Sequence, residues 1–334
     1  MFSGTYNEAS LLKKIRQRIL DTLPIRFRFA LRYMAIHRRF SLLLFPTLFS
    51  EKLMWRMAID RRELLRQTAD KLEMRRYVES KVGKCYLPQL FCITEDPRSI
   101  AFDTLPRKFV VKANHGSGFV KVVTDKETID VPSIVSECQG WLDVDYGELF
   151  GEWGYVGLKR YLMIEEFVES SYKDKEGIPA DFRFLVFDGQ CAMIMVDIGK
   201  PPAMRRNLYY PPWEPVSQTI GYLPTEGSLE PPPDLSAMIG LAEDVARGID
   251  FVRVDLYSTP HGPLIGELTM TPGAGSRRFS DKRLDRFLGK KWKLPKELKR
   301  KYHACSLRPI SDRCQTVAAE MMFCNEYTLH CARG

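Results

Sequence analysis

Two short stretches of the sequence carry residue types that phosphate and metal chemistry requires. The first places Lys112 before a glycine turn, His115-Gly116-Ser117-Gly118, with apolar runs on both sides. Such runs predict a β-hairpin, and the backbone amides of its turn can close over a phosphate. Lys112 would add a positive charge beside that phosphate, as in nucleotide-binding sites. Ordinary turn chemistry is the competing interpretation of these residues taken alone.

The second stretch is a predicted hairpin of two strands, residues 251–257 and 264–269. A strand period of two puts Arg253, Asp255 and Tyr257 on one face, and Glu267 with Thr269 on one face of the partner. Two carboxylates that meet across a strand pair repel each other unless a cation lies between them. Mg²⁺ prefers carboxylate oxygens together with phosphate oxygens and water, so Asp255 and Glu267 are the candidate ligands.

Further charged residues fall on predicted elements elsewhere in the chain. In the strand predicted over residues 181–187, Asp181 and Arg183 alternate with phenylalanines, so both charges lie on one face and suit a cleft better than a core. In the helical region from 51 to 82, Lys71 and Arg75 lie one turn apart on one face. Two cations there indicate an anion site, with a solvated surface as the usual alternative.

The elements that must position these residues are mixed in type. Apolar periodicity predicts helices at 9–23, 51–82, 134–142 and 234–248, and strands at 86–93, on both sides of the glycine turn, and at 162–169, 181–187, 190–197, 251–257 and 264–269. Residues 199–233 are rich in proline and too long for a neutral connection. They are expected to form an ordered loop over a site or a substrate-specific insertion.

The charge of the chain is unevenly distributed. The 334 residues carry a formal net charge of +8 and are 45% hydrophobic, enough to bury a sizeable core in two or three lobes. The first 40 residues hold nine Lys or Arg against two acidic residues, and residues 290–334 hold ten against four. The body between them is therefore net acidic. This argues against a nucleic-acid groove through the core, and no nucleic-acid partner is expected.

The cysteines and the apolar runs indicate a cytoplasmic protein. Eight cysteines are scattered without a CxxC pair, and no cleavable signal peptide is recognised, which predicts a reducing compartment. The longest strongly apolar run, 41–49, is too short to span a bilayer and is broken by Pro46, so no transmembrane helix is predicted. The tail also contains His303, Cys305, Cys314, Cys324, His330 and Cys331. Their spacings match no common zinc finger, so buried or free thiols are the preferred interpretation.

The basic N-terminal residues, 1–40, allow two interpretations. Leu12, Ile15, Ile19 and Leu23 lie at helical spacing, with basic residues on the other faces. Such a helix could lie on an anionic membrane surface, as a peripheral contact at the inner face of the membrane. Alternatively it packs on the body of its own protein, which is the more common use of an amphipathic helix and the interpretation we favour.

Together these motifs resemble the ATP-grasp superfamily, specifically the TupA-like family associated with teichuronopeptide and other cell-surface polysaccharide synthesis. The resemblance covers residues 45–289. It rests on Phe49–Lys52, Asp70-Lys71 with Arg75, Leu105–Lys112 with Asn114–Gly118, Ile164–Glu166, Asp181–Phe184, Arg253–Tyr257, and Gly266–Thr269 with Pro272-Gly273.

The resemblance implies an α+β fold of the ATP-grasp type, in which two α+β lobes clamp ATP between helical N-terminal and C-terminal extensions. The expected divisions are a basic amphipathic extension (1–50), a helical or α+β subdomain (51–108), a first lobe with the glycine loop (109–168), a second lobe with the metal site (169–289) and a basic cysteine-containing tail (290–334).

The resemblance also implies roles for single residues. Lys71 and Lys112 would hold the ATP phosphates while the loop of His115, Gly116, Ser117 and Gly118 closes over them. The backbone of the segment Glu166, Phe167 and Val168 would be the hinge that meets adenine. Ribose hydroxyls would be bound by Glu165, Glu169 or Asp181, of which we favour Asp181.

For catalysis, the resemblance implies that Arg253 steadies an acyl-phosphate, and Lys112 and Arg183 complete the predicted catalytic set. Asp255 and Glu267 would bind Mg²⁺. Thr269 stands where many ATP-grasp proteins have asparagine, and its hydroxyl is a weaker ligand, so the number of metal ions stays open.

The implied activity is a carboxylate–amine ligase that uses ATP and forms an amide through an acyl-phosphate. Its partners would be a carboxylate-bearing substrate, such as a uronic acid glycan or its precursor, and an amine. Two alternatives remain at this stage: a phosphotransferase that acts on a sugar or other hydroxyl, and a non-catalytic nucleotide-binding module.

Overall fold

A computed structural model describes residues 23–173, 180–199 and 202–298. The helices in these ranges are α1 (Ile25–His37), α2 (Phe49–Ile59), α3 (Glu63–Ala69), α4 (Lys71–Val82), α5 (Val131–Asp143), α6 (Tyr146–Phe150), α7 (Leu235–Val245) and α8 (Lys282–Lys291). The strands are β1 (Leu90–Thr94), β2 (Phe109–Ala113), β3 (Val120–Val123), β4 (Leu162–Glu166), β5 (Ala180–Phe187), β6 (Gln190–Ile198), β7 (Arg205–Tyr210), β8 (Glu214–Val216), β9 (Val252–Tyr257) and β10 (Leu264–Thr269). The helix expected over 9–23 lies outside these ranges except for its last residue, and the His and Cys residues of the tail lie outside them entirely.

The first sheet has four antiparallel strands in the order β1-β4-β2-β3. One face buries Phe109, Val111 and Ile164 against α5, while the alternate residues, including Lys112, face the opposite side. β1 belongs to this sheet although it precedes residue 109, so the first lobe draws its edge strand from the stretch expected to be a separate subdomain.

The second sheet has six antiparallel strands in the order β10-β9-β5-β6-β7-β8. On β5, Phe182, Phe184 and Val186 pack against α7 and α4. Arg183 and Leu185 point to the other face, which confirms the alternation expected from the sequence. One face of the sheet therefore carries charged residues such as Arg183 at one end of the strands and apolar residues such as Leu185 further along them.

Residues 199–233 are not simply a loop over a site. They contain β7 and β8, which extend the second sheet, and β7 pairs with β6 over five positions from Ile198↔Arg205 to Ile194↔Tyr209. Proline density hid this strand, because the run of 205–210 contains no proline while its flanks do. The expectation of a loop was therefore wrong for residues 205–216, while that of a substrate-specific insertion stays a prediction.

Helix α2 and the residues around α8 cover the face of the second sheet that carries Leu185. Phe49 and Trp55 of α2 and Trp292 after α8 share one buried cluster with Leu185 and Phe251. Arg56 of α2 is fully buried in this region and donates to the carbonyls on either side of the β9–β10 hairpin, Phe251 and Met270, both at 2.9 Å. Within the part of the chain that the structure describes, no helix has the length and apolar character needed to cross a bilayer.

Candidate active site

Lys71 links the helical region to the glycine loop. Asp70 caps α4 by accepting hydrogen bonds from two following amides, which makes Lys71 the first helical residue. The Lys71 ammonium donates to the Gly116 carbonyl at 2.6 Å, and its amide donates to the Asn114 carbonyl at 3.0 Å. Burial lowers the pKa of Lys71, while the carboxylate of Glu267 opposes the effect. A phosphate at the loop would stabilise this partly desolvated cation.

Lys112 lies on the open face of β2 and contacts the carboxylate of Glu165 on β4. The other oxygen of Glu165 accepts from Arg75 at 3.2 Å. Burial alone would lower the pKa of Lys112, but Tyr257 and Glu165 raise it above its ordinary value. Arg75 therefore neutralises a buried carboxylate rather than joining Lys71 in an anion site, as the helical spacing had suggested.

The glycine loop approaches its neighbours too closely for larger residues. Gly116 and Gly118 have φ values of 93° and 86°, and a Cβ on Gly116 would lie 2.6 Å from the ring of Tyr146. His115 is buried under the loop, where its Nε2 lies 3.1 Å from the carbonyl oxygen of Trp141. Burial lowers the pKa of His115, which favours the neutral ring. His115 thus holds the loop against α5, and its contact with ATP stays a prediction.

Arg183, Asp255 and Glu267 form a row across three neighbouring strands. Asp255 on β9 is in register with Arg183 on β5 and with Glu267 on β10. Arg253 donates to the two oxygens of Asp255 at 2.6 and 2.7 Å and lies 3.4 Å from Glu267. The expectation that the two carboxylates meet across a strand pair is confirmed by this register.

A β-bulge at Gly266 brings Glu267 to this face. The register shifts between Ile265 and Glu267, so Ile265 enters the core while Glu267 faces Asp255. A regular strand would have pointed Ile265 and Glu267 to the same side. A Cβ on Gly266 would lie 2.9 Å from the ring of Tyr257, so a residue without a side chain suits this position.

The two carboxylates form a donor set that suits Mg²⁺ with phosphate oxygens and water. Burial raises the pKa of Asp255 to about 6, with Arg253 opposing. Burial would also raise the pKa of Glu267, but Arg253 and Lys71 outweigh it and hold that pKa below its ordinary value. The Thr269 hydroxyl, on the same face, adds to this lowering. Among the described residues no three His, Cys, Asp or Glu side chains group as a metal site, so a bound ion would also need nucleotide oxygens.

These groups meet in a cavity of about 190 Å³ between the two sheets. Its lining includes nine of the residues predicted from the sequence: Lys71, Lys112, Gly116, Ser117, Gly118, Asp181, Arg183, Asp255 and Glu267. Four other predicted residues do not line it: His115, Glu165, Arg253 and Thr269. The charged cavity therefore contains both proposed phosphate-binding lysines and both proposed metal ligands.

The hinge segment lies beside a second cavity. Glu166, Phe167 and Val168 follow β4 and line a volume of about 1040 Å³ together with Arg75 and the turn between β9 and β10. None of the phosphate or metal candidates lines this larger cavity, so the smaller one fits the chemistry better. Adenine binding at the hinge stays a prediction.

Sequence reasoning missed two charged residues that extend the row. Asp197 on β6 is buried, contacts Arg183, and accepts from two nitrogens of Arg206 at 2.6 and 2.7 Å. The available signal was a single carboxylate in the otherwise apolar run 191–198, since a charge there needs a buried partner. Nothing pointed to Arg206, because it lies in the stretch that was expected to be a loop.

The two mixed lobes that meet at this cavity agree with the fold of the family whose sequence model matches the chain. The chain belongs to the TupA-like ATP-grasp family, whose sequence model matches residues 51–293. The family and the fold expected from the sequence motifs are therefore confirmed.

Solved structures of other ATP-grasp proteins are similar at low sequence identity. The D-alanine–D-alanine ligase from Bacillus anthracis complexed with ATP is 17% identical, with 62% of this chain and 56% of that chain covered and a TM-score of 0.38. The ATP-grasp ligase PsnB with a precursor variant, Mg and ADP is 13% identical, with 73% and 66% covered and a TM-score of 0.40. The RimK domain protein ATP-grasp from Sphaerobacter thermophilus DSM 20745 is 14% identical, with 69% and 68% covered and a TM-score of 0.39. No curated protein matches the chain.

Proposed function

We propose that this protein is an ATP-dependent carboxylate–amine ligase that forms an amide through an acyl-phosphate. The observation that carries the proposal is the single cavity in which two lysines and a glycine loop face two carboxylates and an arginine. Membership of the TupA-like ATP-grasp family supports the use of ATP.

In the first step, a carboxylate oxygen of the substrate attacks the γ-phosphorus of ATP. The bond from that phosphorus to the β–γ bridging oxygen breaks, which gives ADP and an acyl-phosphate. Lys71 and Lys112 hold the phosphate oxygens, and the amides of the loop 116–118 cover them. Arg183 and Arg253 stabilise the charge that spreads during transfer.

Asp255 and Glu267 are the residues that would hold Mg²⁺, which supplies neutralisation of phosphate charge when bound. Arg253 fixes the orientation of Asp255 through two hydrogen bonds and keeps it close to Glu267. The two carboxylates are thereby pre-organised before the nucleotide enters.

In the second step, the amine nitrogen attacks the acyl carbon, phosphate leaves, and the nitrogen loses a proton. No nucleophilic side chain is required. The four cysteines of the described residues are free thiols, and none lines the charged cavity. Burial raises the pKa of Cys138 to about 11 and that of Cys191 to about 12, so both are poor nucleophiles.

The substrates proposed are a carboxylate on a cell-surface polysaccharide or its precursor, such as a uronic acid, and an amino acid or similar amine. The cytoplasm is the proposed site of action. The free thiols of the described residues support a reducing compartment.

The decisive experiment incubates the full chain with MgATP and pairs of uronic acids and amino acids, with heavy oxygen in the carboxylate of the acid. We expect phosphate release that depends on both substrates, with one heavy oxygen transferred to the phosphate. A phosphate ester as product would identify a phosphotransferase instead. ATP binding without turnover would identify a non-catalytic module.

A matched pair of variants tests the metal assignment in the same assay. Glu267→Gln removes a proposed ligand and should lower turnover by about 100-fold or more. Glu214→Gln changes an exposed glutamate on β8 and should leave turnover near that of the unmodified protein. Equal activity of the two variants would refute the metal site.

A further inference from the structure

Exposed apolar side chains are concentrated at the N-terminal end of the described chain. Of the nine large apolar residues that are exposed among the described residues, five lie between residues 27 and 45: Phe27, Met34, Phe40, Leu42 and Phe45. Phe40 is 69% exposed and Phe45 is 77% exposed. Of the other four, Val120 lines the charged cavity and Ile93 lines the larger one, so each faces a cavity rather than an open surface.

The helix α1 presents its apolar residues in two directions. Ala30 and Tyr33 face inward and are buried. Phe27, Leu31 and Met34 follow the spacing of a second stripe on the outward side, where two of the three are exposed. A helix that packs only on its own body would carry polar residues on that side, so an outward apolar stripe indicates a further contact.

The segment after α1 is held in a fixed shape. Arg38 ends the helix with a left-handed backbone, φ 54°. Leu43 also has a left-handed φ of 57° and is buried in the cluster formed by α2 and the second sheet. Because Leu43 anchors the segment, its neighbours Leu42 and Phe45 are exposed on a defined surface rather than on a free end.

The charged side chains of the segment that forms this surface are all positive. Residues 23–47 contain five arginines and no acidic residue. Arg38 is exposed and Arg39 is partly exposed, with Asp285 3.9 Å away. Two copies of the chain would bring like charges together here, which disfavours self-association. Anionic headgroups above an apolar layer match both the arginines and the phenylalanines.

We infer that the outward stripe of α1 together with residues 38–45 is a docking surface for an anionic lipid bilayer. Phe40, Leu42 and Phe45 enter the boundary between headgroups and acyl chains, and Arg38 and Arg39 contact the headgroups. The inference is independent of the ligase chemistry, because none of these residues lines the charged cavity.

The position of the docking surface relates it to the site. The inward side of α1 binds the loop that follows β10: Arg32 donates to the Ala274 carbonyl at 3.0 Å, and His37 Nε2 lies 2.9 Å from the Gly275 carbonyl oxygen. Gly273, Ala274 and Gly275 all have positive φ, so this loop depends on its partners for its shape. Docking would therefore leave only α1 between the bilayer and the loop that follows Glu267 and Thr269. A substrate carried by a lipid could then reach the site from the membrane.

The test measures co-sedimentation of the full chain with vesicles. We expect binding to vesicles of phosphatidylglycerol and phosphatidylcholine in equal parts, little binding to pure phosphatidylcholine, and a decrease as salt is raised. The double variant Phe40→Ser with Phe45→Ser should weaken binding by about tenfold or more. Val122→Ser is the matched control, because Val122 is 44% exposed on β3 of the first sheet, whereas α1 and Leu43 pack in the cluster under the second sheet.

Each other outcome would overturn the inference. Equal binding to both vesicle types would exclude recognition of anionic headgroups. Unchanged binding by the double variant would assign the interaction to basic residues and exclude insertion of Phe40 and Phe45. No binding, with a concentration-dependent dimer that the double variant abolishes, would show that a second copy occupies the surface. Thermal unfolding checks that each variant is folded. ATP turnover is measured separately, so a loss of vesicle binding with turnover retained would not bear on the ligase proposal.

Discussion

At the scale of single residues, Glu165 shows how one buried carboxylate can organise two cations. It contacts Lys112 on one side and Arg75 on the other, and all three side chains are largely removed from solvent. Its burial and its two partners suit Glu165 to holding Lys112 in place rather than to binding ribose. Asp181, which lines the charged cavity, remains the candidate for binding the ribose hydroxyls.

Replacing Glu165 by Gln should destabilise the protein by about 3 to 5 kcal/mol, because it leaves two buried cations without their counter-charge. Urea unfolding followed by circular dichroism measures the change. Glu169→Gln is the control: Glu169 pairs with Lys108 in an exposed position, where solvent screens the pair and little stability should be lost. Similar decreases in unfolding free energy for the two variants would mean that Glu165 does not stabilise Lys112 and Arg75 more than an exposed ion pair would.

Glu152 gives the protein a specific dependence on pH. Burial raises its pKa to about 7, while the Thr271 hydroxyl, which donates at 2.9 Å, and Arg32 oppose the rise. Since the folded state favours the protonated acid, this stabilisation is complete below a pH of about 4.5 and is lost as the pH rises through about 7. In Glu152→Gln the unfolding free energy should decrease less between these two pH values, and the difference from the unmodified protein should be at most about 3 kcal/mol.

The measurement is a series of urea unfolding curves across that pH range. Glu148→Gln, on the exposed side of α6, serves as control and should keep the slope of the unmodified protein. An identical slope for Glu152→Gln and the unmodified protein would contradict the assignment.

At the scale of elements, the β9–β10 hairpin depends on its bulge for its chemistry. Gly266→Ala would bring a Cβ to 2.9 Å from the ring of Tyr257, and the strand or the ring must move. A displacement of Glu267 by about 1 Å should lower kcat/KM for MgATP by about 10- to 100-fold. Gly240→Ala in α7 is the matched control, because a Cβ there meets no atom within 4 Å. A drop of the same size in both would disprove the role of the bulge.

The same hairpin is fastened at its open end by Arg56. The guanidinium donates to the Phe251 and Met270 carbonyls at 2.9 Å and to Asp250 at 2.6 Å. These contacts tie the start of β9 to the end of β10, and so fix the relative position of the strands that carry Asp255 and Glu267.

Arg56→Lys should destabilise the chain by about 3 kcal/mol, because a compact ammonium cannot serve all three acceptors. We also expect a higher KM for MgATP, since the hairpin would be less fixed. Thermal unfolding and steady-state kinetics measure the two effects. The comparison is Arg66→Lys on α3, whose carboxylate partner Glu63 is exposed and 3.9 Å away; it should change neither quantity appreciably. An unchanged KM for MgATP in Arg56→Lys would show that Arg56 contributes to stability but does not position the metal ligands.

At the scale of the whole molecule, the site is assembled from both sheets, so nucleotide binding should tie the lobes together. MgATP at about 100 times its Kd is expected to add about 2.7 kcal/mol to the unfolding free energy. Lys112→Met on the first sheet and Glu267→Gln on the second should each reduce the gain. A thermal-shift titration with a non-hydrolysed ATP analogue checks it, and a gain that survives both substitutions would place the nucleotide elsewhere.

The sequence predicted the parts of this assembly that depend on local periodicity. The hairpins around the glycine loop and around Asp255 and Glu267 follow from alternating residues and turns, and the structure has them. It did not predict the pairing of Asp197 with Arg206, because that pair depends on β7 lying beside β6. Helical spacing alone also could not show that Lys71 reaches the cavity while Arg75 turns to Glu165, since a helical face does not reveal its partner.

The contact between Phe49 and Trp292 has a consequence for how the chain completes its fold. Their ring centroids lie 5.7 Å apart, and Phe251 packs between the same elements. The first sheet is built from strands within residues 90–166 and can form from relatively near neighbours. The cluster around Phe49, Phe251 and Trp292 joins residues near both ends of the described chain. Contacts between residues so far apart in sequence form slowly. During synthesis the first lobe can therefore fold early, while the part of α2 that contacts Trp292 stays uncovered until α8 and the residues after it have been made.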